Sequence, residues 1–214
     1  MYLVKAELAV IAFLILVMAL AVKVGYGLLF SLPFWVMFVL WLIAFRNPKR
    51  AVPSSPLAVV SPIDATVAGV FYANDSFQEK SRIIIRLSRH YTGIMGLFSP
   101  TEGQVMQTWY GEQYKRAVPG SSTDQGHVYT AWIQTDEKDD VLISFFRAKT
   151  KRYLQVKPQP GERVGQGKTI GLSSAQYVDV LLPENAKVKV QKGDKLKAGE
   201  SIIGMLVHLP KRAK

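Results

Sequence analysis

The sequence predicts an N-terminal transmembrane α-helical hairpin followed by a mainly β domain with repeated hairpin motifs. Three observations lead to this prediction. Two apolar runs without charge lie within the first 45 residues, short β-rich runs follow from residue 65 onward, and one glycine-rich hairpin pattern occurs twice near the C-terminus. The expected organisation is a two-span hairpin at 1–45, a linker at 46–62, a β domain at 63–209 and a basic tail at 210–214.

The two apolar runs cover residues 8–22 and 26–45, and neither contains a charged side chain. The second run has 20 residues, and a helix of that length crosses a hydrocarbon core of roughly 30 Å. The first run is shorter, but Lys5 and Lys23 at its ends can reach the headgroups while their stems stay in the apolar region. We therefore expect two spans joined by a short turn, with both ends on one side of the membrane.

Two other interpretations of the N-terminal segment remain open. The first run has the length of a signal peptide, although a second apolar run directly after it argues against cleavage and release. A buried hairpin of a soluble protein would normally have a polar face, and neither run has one. Arg46, Lys49 and Arg50 follow the second run, whereas the turn holds only Lys23. The positive-inside rule then puts the β domain on the cytoplasmic side of the inner cell membrane.

The charge of the chain after the hairpin predicts an anionic phospholipid membrane as its partner. All but two of the 27 Lys and Arg, and all but one of the 16 Asp and Glu, follow residue 45, which leaves a net charge of about +10. A basic domain beside a membrane is attracted to anionic headgroups. Nucleic acid is the usual rival for such a charge, but the predicted tether favours lipid, so we expect no nucleic-acid partner. The chain has no cysteine, which excludes disulfides and thiolate metal sites.

The segment 46–62 contains four prolines and two adjacent serines, a composition typical of an extended linker that enters a first strand. After it, short β-rich runs are separated by Gly, Pro, Asp and Asn, as in an all-β sandwich or barrel. The expected strands are 65–72, 83–87, 105–110, 128–134, 141–145, 153–156, 177–182, 187–190 and 201–207.

Two pairs of segments repeat within the β domain. Residues 61–67 resemble 99–105, and residues 161–171 resemble 193–204. The second pair describes a hairpin with glycines where a tight turn needs a positive φ, followed by an apolar return strand. Paired units of this kind recur in barrel-sandwich hybrid folds, where the glycine-rich turn is usually structural. The repeat therefore predicts a barrel-sandwich-hybrid-like β domain.

The three histidines limit the possible chemistry. His90, His127 and His208 are scattered and show no metal-ligand spacing, whereas a zinc hydrolase needs at least two His ligands with a carboxylate close by. We therefore expect no metal site. His90, in Arg89-His-Tyr, is the histidine that we retain as a candidate for function.

Two serine pairs offer a different chemistry. Ser121-Ser122 stands in a composition typical of a surface turn. Ser173-Ser174 follows a strand-like segment and precedes Tyr177-Val-Asp-Val. A serine at a strained strand end can attack the carbonyl before it and cleave the chain, which leaves, after elimination, an N-terminal pyruvoyl group that acts as an electron sink. Neither pair establishes this chemistry by itself.

Several motifs, read in order, resemble a known family. Phe45-Arg-Asn-Pro-Lys-Arg is similar to the FFRDPxR signature of the short, membrane-anchored phosphatidylserine decarboxylases. Ser61-Pro-Ile-Asp-Ala resembles their SPADG, and Ser99-Pro-Thr-Glu-Gly-Gln-Val resembles their APVSGxV. The segment from Tyr177-Val-Asp-Val to Gly199-Glu resembles their RVDVYLPxxxxVxVxxGDxVxxGE. The matches run from Phe45 to Gly204.

The resemblance implies a carboxy-lyase chemistry. Enzymes of this family cut themselves at a Gly-Ser bond to make a pyruvoyl group, bind the amine of phosphatidylserine as a Schiff base and release carbon dioxide to give phosphatidylethanolamine. An aspartate in SPADG and a histidine upstream of APVSG assist the maturation or the chemistry.

Carried over position by position, the resemblance assigns the aspartate to Asp64. The Gly-Ser bond aligns with Ala175 and Gln176, and the histidine aligns with Met95. Small gaps would instead present Ser174, preceded by Ser173, as the pyruvoyl source, and His90 as the histidine. Self-cleavage between two serines resembles that of pyruvoyl-dependent histidine decarboxylases.

Three hypotheses follow. The first is an active pyruvoyl-dependent decarboxylase that uses Asp64, Ser174 and His90, with a self-generated pyruvoyl formed by cleavage before Ser174. The second, which we favour, is a relative that acts on or binds phospholipid at the cytoplasmic membrane face without the standard pyruvoyl centre, so that no cofactor is expected. The third is a structural partner of another membrane protein.

Overall fold

A computed structural model describes residues 15, 19, 32–33, 35–36, 38–39, 50–55, 57–75, 77–90, 94–110, 127–146 and 154–207 of the 214-residue chain. The chain divides into two compact units, Met1–Pro48 and Lys49–Lys214. The strands and the candidate site described below lie in the second unit. The predicted basic tail at 210–214, His208 and the serine pair at 121–122 lie outside the described residues.

The predicted N-terminal transmembrane hairpin is wrong for the part of the chain that the structure describes. No helix among those residues is both long enough and apolar enough to cross a membrane, and the described fold is mainly β. The prediction rested on the apolar length of the two runs and on their lack of a polar face, which allow a membrane span but do not determine the structure that the segment takes. Most of residues 1–45 lie outside the described set. The two-span membrane placement falls with the hairpin, and the other predicted boundaries stay predictions.

Short strands build the second unit, as the alternating and continuous apolar runs of its sequence require. One of them, β1, lies within the segment 46–62. In chain order the strands are β1 (Ala58–Val60), β2 (Ala65–Asn74), β3 (Ser81–Arg89), β4 (Gly96–Phe98), β5 (Gly103–Tyr110), β6 (His127–Gln134), β7 (Asp140–Phe146), β8 (Leu154–Val156), β9 (Arg163–Val164), β10 (Thr169–Ser173), β11 (Tyr177–Pro183), β12 (Lys187–Val188), β13 (Lys195–Leu196) and β14 (Ile202–Met205).

The strands form three antiparallel sheets. The largest has eight strands in the order β13-β2-β3-β11-β7-β6-β5-β9, and the two smaller sheets have the orders β1-β14-β12 and β4-β10-β8. At the centre of the large sheet, β3 pairs with β11 from Arg82 opposite Pro183 to Ser88 opposite Tyr177. The end of β3 and the beginning of β11 therefore lie side by side, and this end of the sheet carries the candidate site.

The central strands are apolar on both faces because both faces are covered. Ile83, Ile85 and Leu87 of β3 point into the main core, whereas Ile84 packs with Leu181 in a smaller apolar cluster. The face of β3 and β11 that carries Ile84 and Leu181 also carries a buried ion pair.

That ion pair joins the two central strands. Arg86 donates from Nε and Nη2 to the two carboxylate oxygens of Asp179, at 2.9 and 2.8 Å. Burial raises the pKa of Asp179, and the Arg86 guanidinium opposes that rise. The pair fixes the register of β3 against β11.

The repeated hairpins of the sequence adopt one backbone geometry. Gly161 and Gly193 have φ values of 96° and 98°, and Gly167 and Gly199 have φ values of 64° and 72°. These conformations favour glycine, which explains why the two segments share their glycine spacing. The glycine-rich turns are structural, as predicted.

The backbone hydrogen bonds of the repeats match as well. Each hairpin pairs with the strand that follows a Ser-Pro turn: β13 with the start of β2, and β9 with the start of β5. The two Ser-Pro segments also bond each other reciprocally, from Val60 N–H to the Pro100 carbonyl and from Phe98 N–H to the Pro62 carbonyl, at 2.8 and 3.0 Å. The second unit is thus built around two similar halves.

Candidate functional site

Asp64 stands in the Ser-Pro turn between β1 and β2, and its carboxylate joins three segments of the chain. Arg50 Nη2 donates to Oδ1 and Oδ2 at 3.2 and 3.0 Å. The Ala198 N–H donates to Oδ1 at 2.7 Å, and the Ile94 N–H donates to Oδ2 at 3.4 Å. The turn itself is fixed by the Ser61 hydroxyl, which donates to the Ile63 carbonyl at 2.7 Å.

These contacts use the acceptor capacity of the carboxylate, which has about four lone-pair sites. The Asp64 and Arg50 side chains are only 14% and 13% exposed, so water replaces few of these bonds. In the described arrangement Asp64 therefore anchors three segments. They are the start of β2, the loop before β4 and the turn that contains Ala198 and Gly199. The corresponding residue of the other Ser-Pro turn, Glu102, is exposed, so the two halves differ at this position.

His90 lies directly after β3 and beside the Asp64 turn. Its N–H donates to the Asp64 carbonyl at 3.1 Å. Its ring Nε2 and the Thr66 hydroxyl share a hydrogen bond of 2.7 Å, with donor and acceptor roles that depend on the ring tautomer. The backbone of His90 therefore reaches Asp64, while its ring is held by Thr66 of β2.

The segment that contains the predicted cleavage bonds leaves β10 and enters β11 at the same end of the sheet. Ser173, fully buried at the end of β10, donates its N–H to the Met95 carbonyl at 2.8 Å. Its hydroxyl accepts from the Ala175 N–H at 3.1 Å, which closes a short turn around the half-buried Ser174. The segment is thus held against the loop that precedes β4.

Arg89, the last residue of β3, binds this segment at two consecutive carbonyls. Its Nε donates to the Ala175 carbonyl at 3.0 Å, and its backbone N–H donates to the Gln176 carbonyl at 2.9 Å. Its Nη1 donates to the Ile94 carbonyl at 2.6 Å. Arg89 therefore links the aligned cleavage position to the residue whose N–H contacts Asp64.

The structure brings most of the predicted site residues into one region. Asp64, His90, Met95, Ala175 and Gln176 are joined by the hydrogen bonds above, and Ser174 lies between two of the joined residues. Their chemical roles stay predictions. His127 begins β6. Among the described residues, no group of three His, Cys, Asp or Glu side chains could hold a metal ion.

Three residues of the region were not assigned from the sequence: Arg50, Thr66 and Arg89. Arg50 is the last residue of the Phe45-Arg-Asn-Pro-Lys-Arg motif, so the motif itself was a signal that could have identified it. Arg89 precedes His90, but its contact with Ala175 spans 86 positions, and nothing local in the sequence indicates it.

Comparison with known proteins places the chain that carries this β unit in a family of carboxy-lyases. Residues 38–204 match the phosphatidylserine decarboxylase family. The chain belongs to this family.

Individual relatives cover nearly the whole chain. The phosphatidylserine decarboxylase proenzyme of Nitrosomonas eutropha is 28% identical over 190 residues, which cover 87% of this chain and 88% of that protein. The proenzyme of Nitrosomonas europaea is 28% identical over 188 residues, covering 86% and 87%. That of Aromatoleum aromaticum is 24% identical over 193 residues, covering 89% and 90%.

The family depends on a pyruvoyl group made by self-cleavage, and the residues that the motif alignment predicts at its cleavage position do not fit the formation of that group. A pyruvoyl group derives from a serine, whereas Gln176 has an amide side chain and Ala175 a methyl group. Met95, at the aligned histidine position, has a thioether that takes no proton near neutral pH. Ser174 lies two residues before Gln176 in the chain.

Proposed function

We propose that this chain binds phospholipid headgroups as a member of the phosphatidylserine decarboxylase family that keeps its chain uncut. The proposal rests on one feature of the sequence: the bond that the ungapped motif alignment matches to the family's cleavage position joins Ala175 to Gln176, and neither residue has a hydroxyl nucleophile. Without that nucleophile, the chain lacks the group from which the family's cofactor is made.

The contacts of Asp64 support the same proposal. A general base must reach the proton that it removes, but all the contacts described for the Asp64 carboxylate are to donors that position the backbone or Arg50. An anchor of this kind preserves the shape of a headgroup site without taking part in proton transfer.

The charge of the chain supports a lipid surface as the place of binding. The net charge is +11, and the cytoplasmic leaflet carries the anionic lipids that attract such a charge. We therefore place the binding at the cytoplasmic face of a membrane, with phosphatidylserine or a related phospholipid as the ligand class.

The mass of the purified full-length chain tests whether it stays uncut. We expect one species with the mass of all 214 residues and no reaction with an amine-based carbonyl reagent. Two fragments, the second with a carbonyl at its N-terminus, would refute the proposal.

Headgroup binding is tested separately with the full-length chain. Co-sedimentation with vesicles that contain phosphatidylserine, phosphatidylglycerol or phosphatidylcholine alone should show binding to the first two and little to the third. Stronger binding to phosphatidylserine than to phosphatidylglycerol at equal surface charge would identify a headgroup site rather than charge alone. Equal binding to all three would contradict the proposal.

A second candidate function is an active decarboxylase that cuts before Ser174. It is favoured by the turn in which the Ser173 hydroxyl accepts from the Ala175 N–H, because that turn holds the Ser173–Ser174 bond beside the loop after His90. In this case the fragments would end at Ser173 and begin at position 174. Ser174→Ala would abolish the cut, whereas Ser121→Ala, in the other serine pair, would leave it intact.

A further inference from the structure

The geometry points to Arg89 as the positioning residue that holds and polarises the carbonyl at the family's cleavage position. This inference goes beyond the proposed function and rests on it only in that the bond between Ala175 and Gln176 is intact. It concerns how the chain keeps that bond in place, and it does not depend on which headgroup is bound.

Arg89 makes two hydrogen bonds to the segment between β10 and β11. Arg89 fixes the carbonyls of Ala175 and Gln176, which are the two peptide groups on either side of position 176, at 3.0 and 2.9 Å. Two consecutive carbonyls held by one side chain and its own backbone leave that peptide little freedom to rotate. The planar guanidinium suits such a task because its donors lie in a fixed fork.

The second step is the connection of that fork to Asp64. The Arg89 Nη1 donates to the Ile94 carbonyl at 2.6 Å, and the Ile94 N–H donates to Asp64 Oδ2 at 3.4 Å. Arg89 and Ile94 thus connect the aligned cleavage position to the Asp64 anchor. A change at Arg89 should therefore loosen the segment without removing the Asp64 contacts to Arg50 and Ala198.

The third step is chemical. A donor aimed at the position where negative charge develops stabilises that charge when the carbonyl carbon is attacked, and the charged Arg89 side chain already donates to the carbonyl oxygen of Ala175 on which that charge would develop. The Ala175 carbonyl is the one that a serine at position 176 would attack. The structure therefore retains the donor of such a site, while the sequence supplies Gln176 where the nucleophile would stand.

The first experiment measures hydrogen exchange in the unaltered full-length chain and in Arg89→Gln, Arg89→Lys and the control Arg163→Gln. Arg163 lies on β9 and makes an exposed ion pair with Asp136. It does not touch residues 174–177. Arg89→Gln should accelerate exchange of the amides at 174–177 at least tenfold, and Arg89→Lys should do so less, while amides of β1 and β14 stay unchanged. Uniform acceleration throughout the second unit, or none at 174–177, would overturn the inference.

The second experiment installs the missing nucleophile and the missing base with the triple change Ala175→Gly, Gln176→Ser and Met95→His. The installed hydroxyl oxygen would bond to the carbonyl carbon of residue 175, the C–N bond to residue 176 would break, and the hydroxyl proton would pass to the released amine. Hydroxylamine then cleaves the ester, leaving a hydroxamate on residue 175 and a free hydroxyl on the installed serine. Intact mass measures the two fragments.

We expect this cleavage to occur and to slow by about 10²- to 10³-fold when Arg89→Gln is added, the loss typical of removing one such donor. Arg89→Lys should retain part of the rate, because lysine keeps a charge but not the fork. Arg163→Gln should leave the rate unchanged. Cleavage that is equally fast without Arg89 would show that Arg89 does not polarise this carbonyl, and no cleavage in the triple variant would show that the described contacts do not hold this carbonyl for attack.

Discussion

Arg50 Nη2 donates to both carboxylate oxygens of Asp64, at 3.2 and 3.0 Å, with both side chains largely removed from water. The pair brings the last residue of the Phe45-Arg-Asn-Pro-Lys-Arg motif to the Ser-Pro-x-Asp turn, so two separate motifs of the sequence form one contact. The same carboxylate receives the N–H of Ala198 from the second glycine turn. Asp64 is therefore a structural centre of the second unit, whatever chemistry the family assigns to its position.

The first prediction concerns the loss of this centre. Asp64→Ala would leave the Arg50 guanidinium and two backbone N–H groups without their acceptor in a mostly dry position. Removing one partner of such a pair typically costs about 2–4 kcal/mol of unfolding free energy. Urea denaturation of the full-length chain should show a lower midpoint with an unchanged slope.

The matched control is Asp136→Ala, which removes the carboxylate partner of Arg163. Both side chains of that pair are more than half exposed, and exposed ion pairs contribute little to stability. The urea midpoint of this variant should stay close to that of the unaltered chain. Equal losses in the two variants would show that Asp64 is no more than a surface acceptor.

The second prediction concerns acid stability and Asp140, at the start of β7. Burial works against ionisation of this carboxyl, but hydrogen bonds from Gln134, Lys80 and Trp132 together lower its pKa below the ordinary value of 3.8. The unfolded chain therefore takes up the proton first as the pH falls. The stabilisation is complete above 3.8 and is lost as the pH decreases toward the folded-state pKa.

Trp132→Phe tests this dependence by removing the indole N–H that donates to Asp140 Oδ1 at 2.8 Å. The pKa of Asp140 should rise toward its ordinary value, so the unfolding free energy should depend less steeply on pH below 3.8. Trp109→Phe on the neighbouring β5 is the control, because Trp109 packs in the same apolar cluster. The same change of slope in both variants would contradict the assignment to Asp140.

The repeated hairpins could be predicted from the sequence because their backbone requires particular residues. Gly161 and Gly193, and likewise Gly167 and Gly199, occupy φ values that other residues adopt at a cost. The requirement is local, so the spacing of glycines in the chain predicted it. Asp64 was identified differently, from the resemblance of Ser61-Pro-Ile-Asp-Ala to a family motif.

The contacts of the site could not be predicted in this way, and the transmembrane hairpin was predicted wrongly. Apolar length gives the longest span that a segment could make, not the structure that it takes. The contacts of Arg50 with Asp64 and of Arg89 with Ala175 join residues 14 and 86 positions apart. They depend on the pairing of β3 with β11 and on the closure of the repeats, which no local pattern specifies.

The third prediction separates backbone strain from crowding in the repeated turns. Gly193→Ala meets no atom within 4 Å of the added carbon, so its cost is that of φ 98° alone. The expected loss is about 1–2 kcal/mol of unfolding free energy. In Gly167→Ala the added carbon would lie 2.5 Å from Val52 Cγ2, so overpacking should add about 1–3 kcal/mol.

The crowding can be relieved at its source. Val52 is 41% exposed, so Val52→Ala alone should change the urea midpoint little. Combined with Gly167→Ala, it should recover the difference between the two glycine variants and leave the strain. If the double variant is as unstable as Gly167→Ala, Val52 does not pack on this turn.

The last prediction concerns which end of the second unit meets an anionic membrane. The second glycine-rich hairpin, at residues 193–204, donates the Ala198 N–H to Asp64. The exposed lysines in and beside this hairpin include Lys192, Lys195 and Lys197. Lys138 is exposed at the opposite end of the large sheet, in the turn between β6 and β7. If the candidate site faces the lipid, Lys192→Ala should weaken binding of the full-length chain to phosphatidylserine vesicles about fivefold, the equivalent of about 1 kcal/mol for one lysine near the surface.

Lys138→Ala should leave that binding nearly unchanged, because at 0.1 M salt the Debye length is about 10 Å and a charge at the far end of the sheet is screened. Binding of the unaltered chain should fall as salt rises toward 1 M, where the Debye length is about 3 Å. Equal weakening by the two lysine changes would mean that the charge acts without a preferred face, and the candidate site would then have no defined orientation toward the membrane. A loss confined to Lys192→Ala would instead place the Asp64 end of the second unit against the headgroups.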